Sequence, residues 1–110
     1  MKNIKIKSKK LTIKEAKNIF QRFFGLMGKK EINNAIIFKK CNSVHTFFMK
    51  SPIDIIAINE DNEIIFKAIN IPKNKIIKVK NPIKKTSIIE LPPNTSNDLK
   101  IGEILTFKGE

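Results

Sequence analysis

The sequence predicts a mainly β domain, an antiparallel sandwich or barrel of jelly-roll character with one helix from the N-terminal region packed on it. Three observations carry this expectation. After residue 35, short runs rich in Ile, Val and Phe alternate with breaks of Asn, Pro and Lys, which is the pattern of successive short strands. Before residue 28, one stretch repeats its apolar residues at helical spacing instead. The chain has 110 residues, of which 41% are hydrophobic. A chain of that size buries roughly 65% of its unfolded surface around one core, and residues 1–110 read as a single domain.

Residues 3–7 alternate like a strand, with Ile4 and Ile6 on one side. Thr12 followed by Glu15 fits a capping box. Behind it Ile13, Ala16, Ile19, Phe20, Phe23, Phe24 and Met27 recur at helical spacing, and Gly25 supplies a stop. At that spacing the Phe and Met stripe reads as a helix face laid against a sheet rather than a cofactor box. Strands are then predicted over residues 35–39, 44–49, 53–59, 63–71, 75–79, 86–91 and 104–108. Glu60-Asp61-Asn62 reads as a hairpin turn, Pro72 ends the strand before it, and Asn81-Pro82 makes a further break. Pro92-Pro93-Asn94 closes the sixth of these strands, and residues 95–99 suggest one helical turn. No repeat, linker or low-complexity segment divides the chain.

The net charge is +12, from 22 basic and 10 acidic residues. Counterion release from phosphate would give such a chain affinity for nucleic acid. Yet every basic residue except Arg22 is Lys, whereas bidentate phosphate and base-edge contacts favour Arg. Tyr and Trp are absent, and the Phe residues fall at core-like positions. A solvated lysine surface is therefore favoured over a dedicated nucleic-acid patch. One Cys and one His make a metal cluster an unsuitable reading, and neither cofactor nor metal is expected. The unpaired Cys, the lack of an apolar leader in residues 1–10 and the absence of a run near 20 apolar residues suggest a soluble, cytoplasmic protein away from membranes.

The chemically unusual residues gather between Cys41 and Asp54. Cys41 and His45 are four apart, and a thiolate with an imidazole partner would need them in contact. A lone Cys near a strand is more often a small buried hydrophobe. His45 stands among apolar neighbours, as a satisfied core imidazole or as a pocket floor. Asp54 follows the Ser51-Pro52 bend and sits among isoleucines, where a carboxylate must be compensated by N–H donors or by a ligand. Glu90, between Ile89 and Leu91, poses the same problem. No phosphate-cradling Gly-rich loop and no Gly-x-Ser-x-Gly elbow is present.

Gly25-Leu26-Met27-Gly28, Val44-His45-Thr46-Phe47-Phe48-Met49 with Pro52-Ile53-Asp54, Glu90-Leu91-Pro92 and the late Gly102-Glu103 occur in an order and spacing that resembles the uncharacterised prokaryotic DUF192 (UPF0127) family. The resemblance runs from about Arg22 to Phe107. It implies a compact, mostly β domain with no established activity. The chain departs from the family pattern at Asn94, where Gly is frequent, and Asn still tolerates a left-handed turn. Another branch of the family lacks the His-Thr pair, whereas Asp54 matches both branches.

The reading that follows is a small non-enzymatic binding or accessory domain. Its polar groove is framed by His45, Thr46, Met49, Lys50, Asp54 and Glu90, and it takes a small polar or anionic ligand. Alternatives are an acid–base hydrolase or transferase using His45 with Asp54 or Glu90, and nonspecific nucleic-acid binding through lysines. Asp54 is expected mainly to hold the fold, with the Gly25 to Gly28 turn as the facing donor loop, and His45 mainly to line the groove.

Overall fold

The computed structural model describes residues 2–6, 9–16, 35–47 and 49–108. Among them are nine strands: β1 (Lys2–Ile6), β2 (Lys9–Glu15), β3 (Ala35–Phe38), β4 (Ser43–His45), β5 (Ile53–Ile58), β6 (Ile64–Ile71), β7 (Ile76–Lys78), β8 (Ser87–Leu91) and β9 (Phe107–Lys108), with one 3-10 turn at Ile83–Lys85. Seven form one sheet in the order β6-β5-β8-β3-β2-β1-β9, and β4 and β7 form a separate antiparallel ribbon.

The fold is mainly β as expected, with three corrections. The large sheet is mixed, since β2 and β3 run parallel, Ile13 beside Ala35 and Glu15 beside Ile37. A parallel pair needs a crossover of a dozen or more residues, and residues 16–34 provide that length. The barrel is not closed. The segment after Lys100 lies against the start of β6, where the Gly102 N–H donates to the Ile64 carbonyl and the Ile64 N–H to the Glu103 carbonyl, both at 2.8 Å, with an isolated Glu63–Ile104 bridge beside them, but it is not one of the strands of the sheet.

The third correction concerns the predicted helix. Thr12 and Glu15, expected to cap it, lie within strand β2, where Thr12 pairs with Asn3 of β1. Leu11-Thr12-Ile13-Lys14 satisfies strand alternation as well as helical spacing, and pairing with two neighbouring strands outweighs local propensity. The rest of the predicted helix, from Ile19 through Met27, lies outside the described residues. The helical turn expected at residues 95–99 is a series of tight turns, closed by Thr95 N–H to Pro92 O and Leu99 N–H to Ser96 O.

The large sheet is apolar on both faces, which is why β5 reads as a nearly unbroken run of buried residues. Side chains alternate across a strand. Ile56 and Ile58 therefore join Ile13, Ile37, Ile89 and Leu91 on one face, covered by Leu99 and Leu105. Ile53, Ile55 and Ala57 join Ile88 on the other, covered by Met49 and Val79 and flanked by Val44 and Ile77 of the ribbon. The ribbon thus packs as a second layer on the second face.

Asparagine handles several sharp corners in a chain with four glycines. Asn62, Asn70, Asn74 and Asn94 all have φ between 52 and 66°, a left-handed conformation that Asn tolerates better than most residues. In the β5–β6 turn, Asn59 Oδ1 accepts from the N–H groups of Asp61 and Glu63 at 2.9 and 3.0 Å, holding Asn62 in place.

Ile56, fully buried at the centre of β5, should cost about 2–5 kcal/mol when cut to Ala. Ile76 is 62% exposed, and Ile76→Ala should change stability little. Urea unfolding of the two variants measures the contrast.

Candidate functional site

Asp54, the second residue of β5, is fully buried and accepts four hydrogen bonds. Oδ1 takes the backbone N–H groups of Asn70 at 2.8 Å and Asn94 at 3.0 Å. Oδ2 takes the Ser96 N–H at 2.9 Å and the Ser96 hydroxyl at 2.7 Å. A carboxylate offers about four acceptor sites, so this set fills it. Two donors, Asn70 and Asn94, are left-handed corner residues, and the carboxylate ties the end of β6 and the turns after β8 to the start of β5. The sequence had suggested the Gly25-Leu26-Met27-Gly28 turn as the donor loop. That turn lies outside the described residues, and the donors seen are Asn70, Asn94 and Ser96.

Thr46 does a similar job just beyond the end of β6, two residues past Asn70. Its fully buried hydroxyl donates to the Pro72 carbonyl at 2.8 Å and accepts the Lys75 N–H at 2.8 Å. Its own N–H reaches the Lys75 carbonyl, and its carbonyl accepts from Asn74 and Met49. Met49 is buried in the core beneath the ribbon. Glu90 is 4% exposed, and it pairs across β8 with Ile36 and Ile55. Because Asp54 sits opposite Leu91 while Ile55 sits opposite Glu90, alternation sends the two carboxylates to opposite faces of the sheet. Every buried polar side-chain atom among the described residues has a hydrogen-bond partner.

His45 and Lys50 are the two accessible members of the six. The strand predicted over residues 44–49 ends at His45, and the chain turns there, so that Phe47 comes back over the imidazole. The rings stack with centroids 5.1 Å apart at 24°. Nδ1 accepts the Phe47 N–H at 3.1 Å, which in the neutral ring assigns the proton to Nε2. The Cys41 thiol donates to the Ser43 carbonyl at 3.1 Å. Among the described residues, no three of His, Cys, Asp and Glu converge to hold a metal ion. Nor is any helix among them long and apolar enough to cross a membrane.

Val44 and Ile77 of the ribbon turn toward the core, so the alternate positions form its outer face. There Ser43 lies opposite Lys78 and His45 opposite Ile76. Phe47, 37% exposed, extends this face through its stack on His45, and Lys75, next to Ile76 in sequence, and Lys50 are exposed. Phe47 belongs to the Val44-to-Met49 motif but was not among the six groove residues, and Ile76, Lys78 and Ser96 were not singled out from the sequence. Ser96 carried a local signal, since Pro-Pro-Asn-Thr-Ser is a turn composition rich in backbone-capping side chains. The ribbon face carried none, because it depends on the pairing of β4 with β7.

The family model DUF192, described as "Uncharacterized ACR, COG1430", matches residues 2–107. The chain belongs to the DUF192 family. Two solved structures share its fold. One is a protein of unknown function from Novosphingobium aromaticivorans DSM 12444, with a TM-score of 0.77 at 16% identity over 98% of this chain and 83% of that one. The other is a putative transcription regulator from Sinorhizobium meliloti 1021, with a TM-score of 0.76 at 20% identity over 98% of this chain and 91% of that one. At these identities the likeness concerns fold alone. No curated protein gives a significant match to this DUF192 chain.

Asp54→Asn places an amide NH2 where an acceptor is needed and should cost about 1–3 kcal/mol of stability. Ser96→Ala removes one of the four bonds and should cost about 1 kcal/mol. Chemical denaturation gives both values, and a parent-like Asp54→Asn would remove Asp54 from its structural role.

Proposed function

We propose that this DUF192 protein is a small non-enzymatic binding domain that takes a polar or anionic ligand on the outer face of the β4–β7 ribbon. Of the six residues first grouped as a groove, His45 and Lys50 are the ones that would meet the ligand, joined by Phe47, Ile76 and Lys78. Thr46, Met49, Asp54 and Glu90 are frame. The observation that carries this reading is the complete use of Asp54: its four acceptor sites already hold three backbone N–H groups and a hydroxyl, so none is left to take a proton from a substrate. An acid–base reaction using His45 with Asp54 draws no support from that arrangement.

The exposed lysines give the ribbon face a positive field, and the stacked imidazole and phenyl rings give it a flat apolar centre. Such a face suits a ligand that joins an anionic group to a planar or apolar body. A free, half-buried thiol at Cys41 is compatible with the reducing cytoplasm.

Titration with inorganic phosphate and with a nucleoside monophosphate, followed by amide NMR shifts, tests the placement. Shifts should centre on His45, Phe47, Ile76 and Lys78. His45→Gln should weaken the response while costing only about 1 kcal/mol of stability, the size of one lost ring pair. Shifts centred on Asp54 and Ser96, or an esterase or phosphatase activity abolished by Asp54→Asn in a protein that still melts like the parent, would overturn the reading.

A further inference from the structure

The charge of this chain is unevenly distributed, and the topology concentrates the imbalance. Neither residues 32–53 nor residues 64–89 contain any Asp or Glu. Those two stretches also supply β3, β6 and most of β8 to the large sheet, but the parts that carry β4 and β7 pair with each other and bring acid-free chain from both into the ribbon layer. Further bonds interlace them: Val79 N–H to Asn42 O at 2.8 Å, Cys41 N–H to Thr86 O at 2.9 Å, and Asn42 Nδ2 to Asn81 O at 3.0 Å. Lys50, Lys73, Lys75, Lys78, Lys80 and Lys84 on these segments are all exposed. Among the described residues the exposed acids belong elsewhere: Glu15 to β2, where it pairs with Lys39 at 3.5 Å, Glu60 and Asp61 to the β5–β6 turn, and Asp98 and Glu103 to the loops after β8.

Within the basic layer, the outer ribbon face holds Phe47 stacked on His45, with Ile76 across the strand from His45. Phe47 and Ile76 are 37% and 62% exposed. A flat ring pair set among lysines is what a base and its flanking phosphates require. We infer that the outer face of the β4–β7 ribbon is a docking surface for single-stranded nucleic acid, with lysines on the phosphates and a base stacked on Phe47. This rests on the ligand face assigned above and names its occupant. Lysine ammonium groups contact phosphate as point charges and do not read base edges bidentately, so binding is sequence-blind. The stacking position distinguishes a single strand, whose bases are free to swing out, from a duplex, whose bases are already stacked. An anionic membrane would use the same lysines and bury Phe47 and Ile76 in its interface without stacking, so vesicle sedimentation is the arm that separates the two.

The test is fluorescence anisotropy of the full chain with labelled 12-nucleotide oligo-dT, oligo-dA and the corresponding duplex at several salt concentrations. Expected are similar affinities for the two single strands, weaker binding of the duplex, and a loss on the order of 50-fold between 50 and 200 mM salt if about four phosphates are contacted. Lys78→Glu should weaken binding about tenfold, whereas Lys100→Glu, with the same change in net charge on a loop outside this layer, should leave it within about twofold. Phe47→Leu, checked for a parent-like melt, should weaken single strands at least about fivefold and abolish the preference over duplex. Equal losses from Lys78→Glu and Lys100→Glu would reduce the effect to net charge and overturn the surface. Duplex binding as tight as single-strand binding would also overturn the inference. So would sedimentation with anionic phosphatidylserine vesicles in the absence of oligonucleotide binding. Phosphate or mononucleotide shifts at His45 without oligonucleotide binding would sink the nucleic-acid inference while leaving the ligand face intact; no response to any of them would remove both.

Discussion

A carboxylate buried without donors is among the most costly things a small protein can contain, and the start of β5 is organised around avoiding that cost at Asp54. Its two oxygens gather N–H groups from Asn70 at the end of β6 and from Asn94 and Ser96 in the turns after β8. These donors are 16, 40 and 42 residues away in sequence. Two of them sit in left-handed corners that the carboxylate helps to fix. The carboxylate therefore replaces a stretch of regular pairing at the place where the sheet gives way to loops, and charge-assisted bonds of this kind are about twice as strong as neutral ones.

With that corner fixed, the central strand can be apolar on both faces. Turns beyond β8 bring Leu99 over one face, where Lys67 Nζ donates to the Leu99 carbonyl at 2.7 Å. The ribbon covers the other. Thr46 serves the ribbon as Asp54 serves the sheet: one small buried hydroxyl donates to the Pro72 carbonyl and accepts the Lys75 N–H, adding to the backbone bonds that Thr46 makes to Asn74 and Lys75 of the same turn. Two buried polar residues thus hold the corners, and the isoleucines between them supply the core.

Much of this was legible in the sequence. Period-two and continuous Ile-rich runs located β3 and β5 through β8 to within about two residues, because burial on one or both faces leaves a pattern in hydrophobicity that does not depend on the partner strand. Strand β2 was not legible, since Leu11 to Ala16 fits both periods and only its pairing with β1 and β3 decides between them. A compensated Asp54 was foreseeable from its isoleucine neighbours. The identity of its donors was not, because hydrogen bonds across some 40 residues leave no local trace. The six residues grouped as one groove illustrate the same limit. Their types were unusual, but whether unusual residues share a surface depends on strand register, and register sends Asp54 and Glu90 to opposite faces.

The ribbon face follows from the same logic in reverse. Once Val44 and Ile77 are committed to the core, alternation leaves Ser43, His45, Ile76 and Lys78 no alternative but solvent. A two-stranded ribbon made only to cover a sheet would be expected to carry polar residues there. Instead the chain turns immediately after His45 so that Phe47 packs on the imidazole, leaving a partly exposed ring beside an exposed isoleucine. Folding leaves 62% of Ile76 and 37% of Phe47 in water, apolar surface that the core does not use. An apolar centre on a layer rich in exposed lysines instead fits an interface whose other half brings the negative charge and the remaining stacking surface.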